Sequence, residues 1–228
     1  MVRALARRDI TEPFPVQKLV VRDALAGRDL LVQAPTGSGK TLAFGIPLIE
    51  RVESAQGRLS ALVLAPTREL ASQIVDELDS IARSRELRIA AVYGGVGFGP
   101  QSKAARRADV VVATPGRLED LIARGVVSLK RVGILVLDEA DRMLDMGFKP
   151  AVDRIVGQTP RDRQTLFFSA TLESAAGNAA RSYTRDARRH VHRPVEEDAG
   201  AVEHRFVHLE HSEKLERLLN LTAALLET

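Results

Sequence analysis

Short apolar segments alternate with segments of helical periodicity along most of this chain. Six β-rich apolar segments predict strands at residues 30–34, 61–65, 89–93, 110–113, 134–138 and 165–169. Helical patterns lie between them, near residues 16–25, 41–53, 68–83, 116–123, 150–156 and 173–182. Strands and helices that alternate at this spacing predict an α/β fold, with a mostly parallel sheet and helices on both of its faces.

Composition agrees with a packed domain and narrows the classes of partner. The 228 residues are 45% hydrophobic and 28% charged, which indicates a globular core and not general disorder. The net charge of +3 is compatible with a nucleic-acid partner but does not require one. The chain has no cysteine, so disulfides and cysteine-based zinc sites are excluded. Without an apolar segment of membrane-spanning length or a signal-peptide core, we interpret the protein as cytoplasmic, with no membrane partner.

The segment PTGSGKT follows the first predicted strand, at the edge of the sheet where open parallel sheets bind ligands. Gly37 and Gly39 allow the backbone to wrap a phosphate, and the following helix start directs its N–H groups there. Lys40 supplies positive charge for the outer phosphates, and the Thr41 hydroxyl is a predicted Mg²⁺ ligand. Ala34 stands where the strict P-loop pattern begins with glycine, so an ordinary glycine-rich turn is the alternative.

Three carboxylates follow the buried strand of ILVLDEAD: Asp138, Glu139 and Asp141. Charges clustered at the end of a buried strand are costly unless a positive charge neutralises them. Mg²⁺ held by Thr41 and Asp138 would supply that charge, and Glu139 could orient or deprotonate a water that attacks the γ-phosphate. The alternative is a helix start that carries acids for its own stability. The presence of Lys40 favours the catalytic interpretation.

Helix starts and glycines follow three further strands. Thr67 in PTREL and Thr114 in TPGRL are predicted N-caps, with Pro115 at the first helical position. Each could be an ordinary cap or turn. Together they form a row suited to a phosphate backbone bound without reading base edges, completed by Gly94, Gly95, Arg68 and Arg117. Aromatic residues are only 4% of the chain, so base stacking is not expected to dominate.

The last predicted strand ends at Ser169-Ala170-Thr171. Its hydroxyl groups could hydrogen-bond the neighbouring carboxylates and link the nucleotide site to the polymer site. The alternative is an ordinary helix cap.

These segments resemble the DEAD-box RNA helicases of superfamily 2. The chain shows, in order, PFPVQ with Gln17, APTGSGKT, PTREL, Gly94-Gly95, TPGR, DEAD at 138–141 and SAT at 169–171. The resemblance covers about residues 1–195 and corresponds to the family's first RecA-like domain. The segments DEADRMLDMGF and YGGVGFGPQ are most similar to bacterial RhlE-type members. The resemblance implies a RecA-like P-loop fold, ATP and Mg²⁺ as cofactors, RNA as partner, and RNA-dependent ATPase and helicase activity.

The resemblance also implies a role for each matching residue. Gln17 would read the adenine edge. The ATP-binding set is Gln17, Thr36, Gly37, Ser38, Gly39, Lys40 and Thr41. The catalytic residues would be Lys40, Asp138 and Glu139, with Thr41 and Asp138 on Mg²⁺. The RNA backbone would lie on Pro66, Thr67, Arg68, Gly94, Gly95, Thr114, Gly116 and Arg117. Coupling between the two sites would use Asp141, Ser169 and Thr171.

Two residues depart from the family pattern near the nucleotide. Ile10 stands where the family usually has an aromatic residue that stacks on adenine, and Pro35 replaces the commoner Gln of the P-loop. These departures affect the expected affinity for adenine and not the family resemblance.

Residues 196–228 are expected to be an interdomain linker and the truncated start of a second RecA-like domain. The segment VEHRFVHL predicts a strand, so its histidines are interpreted as surface residues and not as zinc ligands. The segment SEKLERLLNLTAALLE predicts a helix with a leucine stripe, which predicts mobility or self-association through this tail. Because the rest of the second domain is missing from the chain, the fragment alone is expected to be nearly inactive.

Two other functions remain open at this point. An ATP-gated RNA clamp would use the same residues without productive unwinding. A small-molecule kinase or another P-loop NTPase would leave Gln17, TPGR and SAT unexplained.

Overall fold

The computed structural model describes residues 1–53, 59–172 and 174–193, together with residues 210, 212, 214, 215 and 217. The strands are β1 Leu30–Gln33, β2 Ala61–Leu64, β3 Ile89–Val92, β4 Val110–Ala113, β5 Ile134–Leu137, β6 Gln164–Ser169 and β7 Arg188–Val191. The helices are α1 Val2–Ala6, α2 Pro15–Leu25, α3 Lys40–Arg51, α4 Arg68–Arg83, α5 Phe98–Ala105, α6 Pro115–Ala123, α7 Ala140–Asp145, α8 Lys149–Gly157 and α9 Ser174–Tyr183.

The seven described strands form one sheet in the order β3-β4-β2-β5-β6-β1-β7, and every neighbouring pair is parallel. A parallel sheet needs a crossover between consecutive strands, and the helices of this chain provide it. Since all strands run the same way, their carboxyl ends share one edge. The predicted parallel sheet is therefore confirmed, with the segments after β1 to β6 on the same edge.

Alternating residues of strands β1 to β6 enter two separate hydrophobic clusters. In β2, Ala61 and Val63 pack with helices α2, α3 and α4, whereas Leu62 and Leu64 pack with α6, α8 and α9. The central strands are buried along their whole length, which is why they appear in the sequence as continuous apolar runs. The predicted arrangement of helices on both faces is confirmed.

Four elements were not predicted from the sequence. The edge strand β7 has the sequence RRHV and is mostly exposed, so it lacks the apolar signal of a buried strand. Helices α1 and α7 are five and six residues long, too short for a periodic pattern. Helix α5 contains Gly99 and Pro100, which both argue against a helix in the sequence.

Residues Met1–Arg193 form one compact unit, and Pro194–Thr228 form a second. The strand and the helix that the sequence predicts after residue 200 lie outside the described residues, apart from the isolated positions given above. None of the described helices combines the length and the apolar character that crossing a membrane requires.

Candidate functional site

The carboxyl edge of the sheet divides into two halves. The P-loop, DEAD and SAT segments follow the neighbouring strands β1, β5 and β6, and the segments with Gly94, Thr114 and Thr67 follow β3, β4 and β2. Between the first three lies a cavity of about 260 Å³, lined by Thr36, Lys40, Glu139, Asp141, Arg142, Asp145 and Ala170. The structure therefore brings together the catalytic residues predicted from segments a hundred positions apart.

The P-loop takes a backbone conformation that requires glycine at two positions. Gly37 and Gly39 have φ angles of +82° and +89°, in the left-handed region. At Gly39 a side chain would also collide, because a Cβ there would lie 2.6 Å from Phe14 Cδ2 and 2.9 Å from Gln17 Nε2. The loop ends at Lys40, where α3 begins with N–H groups free of intrahelical partners. This is a backbone cradle suited to phosphate oxygens.

Lys40 lies almost fully buried against the loop that precedes it, with 7% of its surface exposed. Its Nζ donates to the carbonyl oxygens of Pro35 at 2.8 Å and Ala34 at 3.3 Å. Ser38 Oγ donates to the same Pro35 oxygen at 2.8 Å. The loop therefore surrounds the ammonium group and holds it in place. Ala34, which stands where the strict P-loop pattern has glycine, still provides a carbonyl acceptor.

Gln17 is buried at the start of α2 and connects that helix to the P-loop. Its Nε2 donates to the Gly39 carbonyl at 3.1 Å, and its Oε1 accepts from the Phe14 amide at 2.9 Å. The predicted adenine-reading residue therefore lies beside the P-loop, with both ends of its amide already engaged once. A primary amide has further hydrogen-bonding capacity, so these bonds leave room for a base edge.

Asp138 is the buried carboxylate of the site, with 2% of its surface exposed. Its Oδ1 accepts a hydrogen bond from the Glu139 amide at 3.0 Å. Burial raises the pKa of the Asp138 carboxyl from 3.8 to about 6, although the Lys40 ammonium lowers it. The charges of Glu139 and Asp141 raise this pKa further. A bound cation would relieve this unfavourable charge, as expected for a metal ligand.

Glu139 faces the P-loop across the cavity. Its Oε1 accepts from Thr36 Oγ1 at 3.1 Å, and its Oε2 pairs with Arg142 Nη1 at 3.2 Å. The residue has a φ of +48°, which is uncommon for a side chain other than glycine and concentrates at functional sites. Glu139 is thus held at the turn between β5 and α7, with its carboxylate directed to the loop that would carry the phosphates.

Asp141 links the DEAD segment to the end of β6. Its Oδ2 accepts from the amides of Ala170 at 3.1 Å and Thr171 at 3.0 Å, and from Thr171 Oγ1 at 3.3 Å. The predicted contact between SAT and the carboxylates is therefore present for Thr171. Ser169 is fully buried, and its hydroxyl donates to the Thr171 carbonyl and not to a carboxylate.

The predicted RNA residues occupy the other half of the edge. Thr67 caps α4, since its Oγ1 accepts from the Leu70 amide at 3.2 Å. Thr114 precedes α6 and Pro115 is its first residue, as predicted, but the Thr114 side chain makes no capping hydrogen bond within the described residues. Gly94, Gly95, Gly116 and Arg68 are exposed, whereas Pro66 is buried.

Arg117 has a more structural position than the sequence suggested. Only 14% of its side chain is exposed, and its Nη1 donates to the Val96 carbonyl at 3.2 Å and to Gln101 Oε1 at 3.1 Å. Its guanidinium also lies 6.0 Å from the centre of the Phe98 ring. Arg117 therefore connects α6 to the segment after Gly95, and it can shape the predicted RNA surface as well as contact it.

The residues of the cavity fit ATP and Mg²⁺. The cradle at Gly37 to Lys40 accepts phosphates, and the buried Asp138 carboxylate and Thr41 hydroxyl are oxygen ligands of the kind that Mg²⁺ prefers. Within the described residues no group of three or more carboxylates or histidines could hold a metal ion alone.

A family model for the DEAD/DEAH box helicase matches residues 14–178, more than half of the chain. The chain belongs to the DEAD/DEAH box helicase family. Within it, DEAD-box ATP-dependent RNA helicase 3A, chloroplastic, of Zea mays is 48% identical over 192 residues, which cover 80% of this chain and 26% of that protein. CshA of Streptococcus pneumoniae is 43% identical over 176 residues, which cover 77% of this chain and 34% of that protein. Probable ATP-dependent RNA helicase MJ0669 of Methanocaldococcus jannaschii is 42% identical over 187 residues, covering 82% and 51%.

Solved structures of DEAD-box proteins show the same fold. A DEAD box protein from the hyperthermophile Methanococcus jannaschii superposes with a TM-score of 0.78 at 38% identity, over 96% of this chain and 60% of that one. A hypothetical ATP-dependent RNA helicase from Sulfolobus tokodaii superposes with a TM-score of 0.78 at 35% identity, over 84% of this chain and 56% of that one. The RecA-like α/β fold is thereby confirmed. The chain spans about a quarter to a half of the length of the three curated relatives described above.

Several residues of this DEAD-box site were not singled out by the sequence. Arg142 pairs with Glu139, Asp145 lines the cavity, and the Ala170 amide binds Asp141. Phe14 is 56% exposed beside Gly39, although an exposed aromatic ring is unusual. Spacing in DEADRMLD could have indicated Arg142, because it follows Glu139 by three residues, the spacing of neighbours on a helix. A backbone amide such as that of Ala170 leaves no signal in a sequence.

Proposed function

We propose that this chain is the ATP-binding half of an ATP-dependent RNA helicase. In this proposal it binds ATP·Mg²⁺ and the RNA backbone, and it hydrolyses ATP to remodel or unwind short RNA duplexes when joined to its second domain. The observation that carries the proposal is the common cavity of Lys40, Glu139 and Asp141, with the buried Asp138 beside it. The membership in the DEAD/DEAH box helicase family supports it.

The positions of the nucleotide residues support a role for each of them in this proposal. The backbone from Gly37 to Lys40 would hold phosphates, and the Lys40 ammonium would leave the loop carbonyls to neutralise the outer ones. Thr41 and Asp138 would hold Mg²⁺. The bound ion would neutralise the charge that develops on the transferred phosphoryl group. Glu139, between Thr36 and Arg142, would orient the attacking water. Its turn conformation keeps that carboxylate aimed at the phosphate cradle.

The RNA residues suit a partner recognised by its phosphates. Exposed backbone at Gly94, Gly95 and Gly116 and the starts of α4 and α6 offer N–H groups and close approach without a side chain. Arg68, whose side chain is 60% exposed, adds a positive charge, which pairs with Glu69 at 2.6 Å in the structure without RNA. None of these groups reads a base, so the proposed binding is independent of sequence. Asp141, which binds Ala170 and Thr171, would couple the two halves of the edge.

The proposed domain organisation places a first RecA-like domain at residues 1–195 and the linker and start of a second at residues 196–228. It is supported by the compact unit Met1–Arg193 and by the fraction of each relative that the chain covers. In this proposal the second domain supplies arginines to the γ-phosphate, which in related enzymes raise the rate by about 10³–10⁵-fold. We therefore expect residues 1–228 alone to bind nucleotide with little RNA-stimulated turnover. Robust RNA-stimulated turnover by the chain alone would contradict this organisation.

Nucleotide binding tests the core of the proposal. Titration with a fluorescent ADP analogue and Mg²⁺ should give saturable binding to the wild-type chain, and Lys40→Ala should weaken it by about tenfold or more, since a charge-assisted contact is lost. Lys130→Ala, which removes an exposed lysine far from the cavity, is the control. Equal binding by wild type and Lys40→Ala would remove the P-loop from the proposal.

RNA binding is tested in the protein joined to its second domain. Arg68→Gln should weaken binding of a homopolymeric single-stranded RNA and reduce its salt dependence, because a phosphate contact is lost. Arg83→Gln is a matched control, since Arg83 is exposed at the opposite end of the same helix α4. An unchanged affinity for Arg68→Gln would place the RNA elsewhere. A strand-displacement assay on a short duplex distinguishes the two candidate functions: a helicase should displace the strand, and an ATP-gated clamp should not.

A further inference from the structure

A second polar cavity lies at the opposite edge of the sheet, where β1, β6 and β7 begin. Its volume is about 210 Å³, and its lining includes Asp29, Arg161, Arg163, Thr165, Thr184 and Arg185. A single buried water needs only about 10–15 Å³ of such space, so the cavity can hold a larger group. None of these residues belongs to the nucleotide cavity or to the predicted RNA surface.

Two polar atoms at this cavity are buried and unpaired. Arg163 Nε and Thr165 Oγ1 each expose less than 1 Å² and have no hydrogen-bond partner among the residues that the structure describes. Thr165 as a whole is 1% exposed, within β6. Buried polar groups in proteins are nearly always hydrogen-bonded, so an unpaired N–H and an unpaired O–H in the lining of one cavity indicate that a further polar group binds there in solution.

The charges at the cavity favour an anionic partner. Three guanidinium groups, those of Arg161, Arg163 and Arg185, stand against the single carboxylate of Asp29. That carboxylate is already engaged, because its oxygens accept from the amides of Thr165 at 2.8 Å and Arg185 at 2.7 Å. The remaining charge is positive, and at least Arg163 is held in place by its bonds to the carbonyls of Pro160 and Tyr183.

The position of Arg163 adds to the same argument. Its Nη1 and Nη2 donate at 2.9 Å and 3.0 Å to backbone oxygens, which fixes the guanidinium while its Nε–H stays unpaired. Burial lowers the pKa of Arg163; Asp29 raises it, and Arg185 lowers it again. A negative group in the cavity would offset both the burial and the repulsion from Arg185.

We propose that this cavity binds a small tetrahedral oxyanion, namely a phosphate group, through Arg163, Thr165 and the flanking Arg161 and Arg185. The guanidinium of Arg163 stays fixed and offers its Nε–H, while small rotations of Thr165 and of the side chains around it open both groups to the anion. The two exposed arginines, Arg161 and Arg185, close over it. The phosphate has two potential sources, free inorganic phosphate and a phosphate of a polynucleotide. The site is separate from the one that would hold ATP, because the two lie at opposite edges of one parallel sheet.

Nuclear magnetic resonance of the ¹⁵N-labelled chain gives a readout for each site separately. Inorganic phosphate is titrated at constant ionic strength, with chloride as the balancing anion. The Arg163 Nε–H signal and the amides of Thr165 and Arg185 report on the new cavity, and the amides of Gly37 and Gly39 report on the P-loop. We expect saturable shifts in the first group that follow their own binding curve. A short 5′-phosphorylated RNA that displaces phosphate from these signals assigns the polymer as the source, and failure to displace it assigns the free anion.

Three variants decide the assignment. Arg161→Gln with Arg185→Gln should weaken phosphate binding at these signals by about tenfold or more, whereas Arg107→Gln, an exposed arginine elsewhere, should stay within about twofold. Thr165→Val should weaken it by roughly three- to tenfold. In the absence of phosphate, the melting temperature of Thr165→Val should be no lower than that of wild type, because the substitution removes an unpaired buried hydroxyl. Shifts that never saturate, or that are unchanged in the double variant, would mean that water alone fills the cavity and would overturn the proposal.

Discussion

Replacing Asp138 with Asn removes a charge that the fold holds in a buried position. Asp138 is 2% exposed, and its Oδ1 accepts from the Glu139 amide at 3.0 Å. Asn keeps the shape of the side chain and an oxygen for that bond, but it cannot ionise. A difference in the pH dependence of unfolding between the two proteins therefore reports the ionisation of Asp138.

The magnitude follows from the pKa, which burial raises from 3.8 to about 6. Because the folded protein keeps a proton that the unfolded chain has released, the free energy of unfolding falls as the pH rises through this interval. A difference of one in pKa corresponds to about 1.4 kcal/mol, so the whole loss is about 3 kcal/mol. Roughly 2 kcal/mol of it falls between about pH 4.5 and about pH 8.

Urea unfolding followed by circular dichroism measures this effect, with EDTA present and nucleotide absent. Across the pH range above, Asp138→Asn should gain about 2 kcal/mol relative to wild type, whatever the fixed cost of the buried amide. The gain should exceed that of Asp145→Asn, which removes one exposed carboxylate from the cavity beside Asp138. Parallel curves for wild type and Asp138→Asn would refute the reasoning, because they would mean that burial does not perturb Asp138.

Three other substitutions test the rest of the nucleotide site. In protein containing both domains, Glu139→Gln should keep Mg·ATP binding and lose nearly all ATPase turnover, and near-normal turnover would exclude Glu139 from the mechanism. Gly39→Ala should lower the melting temperature more than Gly37→Ala. Both glycines have positive φ, but only at Gly39 would the added methyl group collide with Phe14 and Gln17. Equal decreases in melting temperature would contradict this packing. Ile10→Phe should tighten ADP binding in calorimetry by about 0.5–1.5 kcal/mol if the ring stacks on the base. Unchanged or weaker binding would mean that Ile10, which packs partly buried against the core, does not face the base.

The fold was predictable where burial determines the residue type. Strands β2, β4 and β5 are buried on both faces, so their sequences ALVL, VVVA and ILVL could be recognised directly. Edge strand β7 could not, because its RRHV sequence is mostly exposed. Its pairing with β1 uses backbone groups and one side-chain bond, from Arg189 to Gln33, which leave no apolar pattern in the sequence. Helix α5 forms despite Gly99 and Pro100, since tertiary packing of Gln101 and Ala105 outweighs local propensity.

The candidate site was predictable as a set of residue types but not as a set of contacts. The sequence indicated Lys40, Glu139 and Asp141, because charges at strand ends need a functional explanation. It could not indicate that Lys40 binds the Pro35 carbonyl or that Asp141 binds the Ala170 amide, since backbone groups are the same in every residue. For Arg117 it predicted a contact with RNA, and the structure adds the bonds to the segment after Gly95 that hold this side chain.

The order of the strands in space explains how the two proposed sites could communicate. Along the chain, the three segments of the RNA half lie between the P-loop and the DEAD segment. In the sheet the two halves are separate, and β5 lies at the border between them. The DEAD segment after β5 is bonded on both sides: the Asp138 amide donates to the Leu64 carbonyl of β2 at 2.9 Å, and Asp141 accepts from the end of β6. Asp138 carries the first of these anchors on its amide, and Glu139 lies between the two anchors. A change of ligand at these carboxylates therefore acts directly on a segment that contacts both halves. Communication between the two proposed sites does not require a longer path through the core.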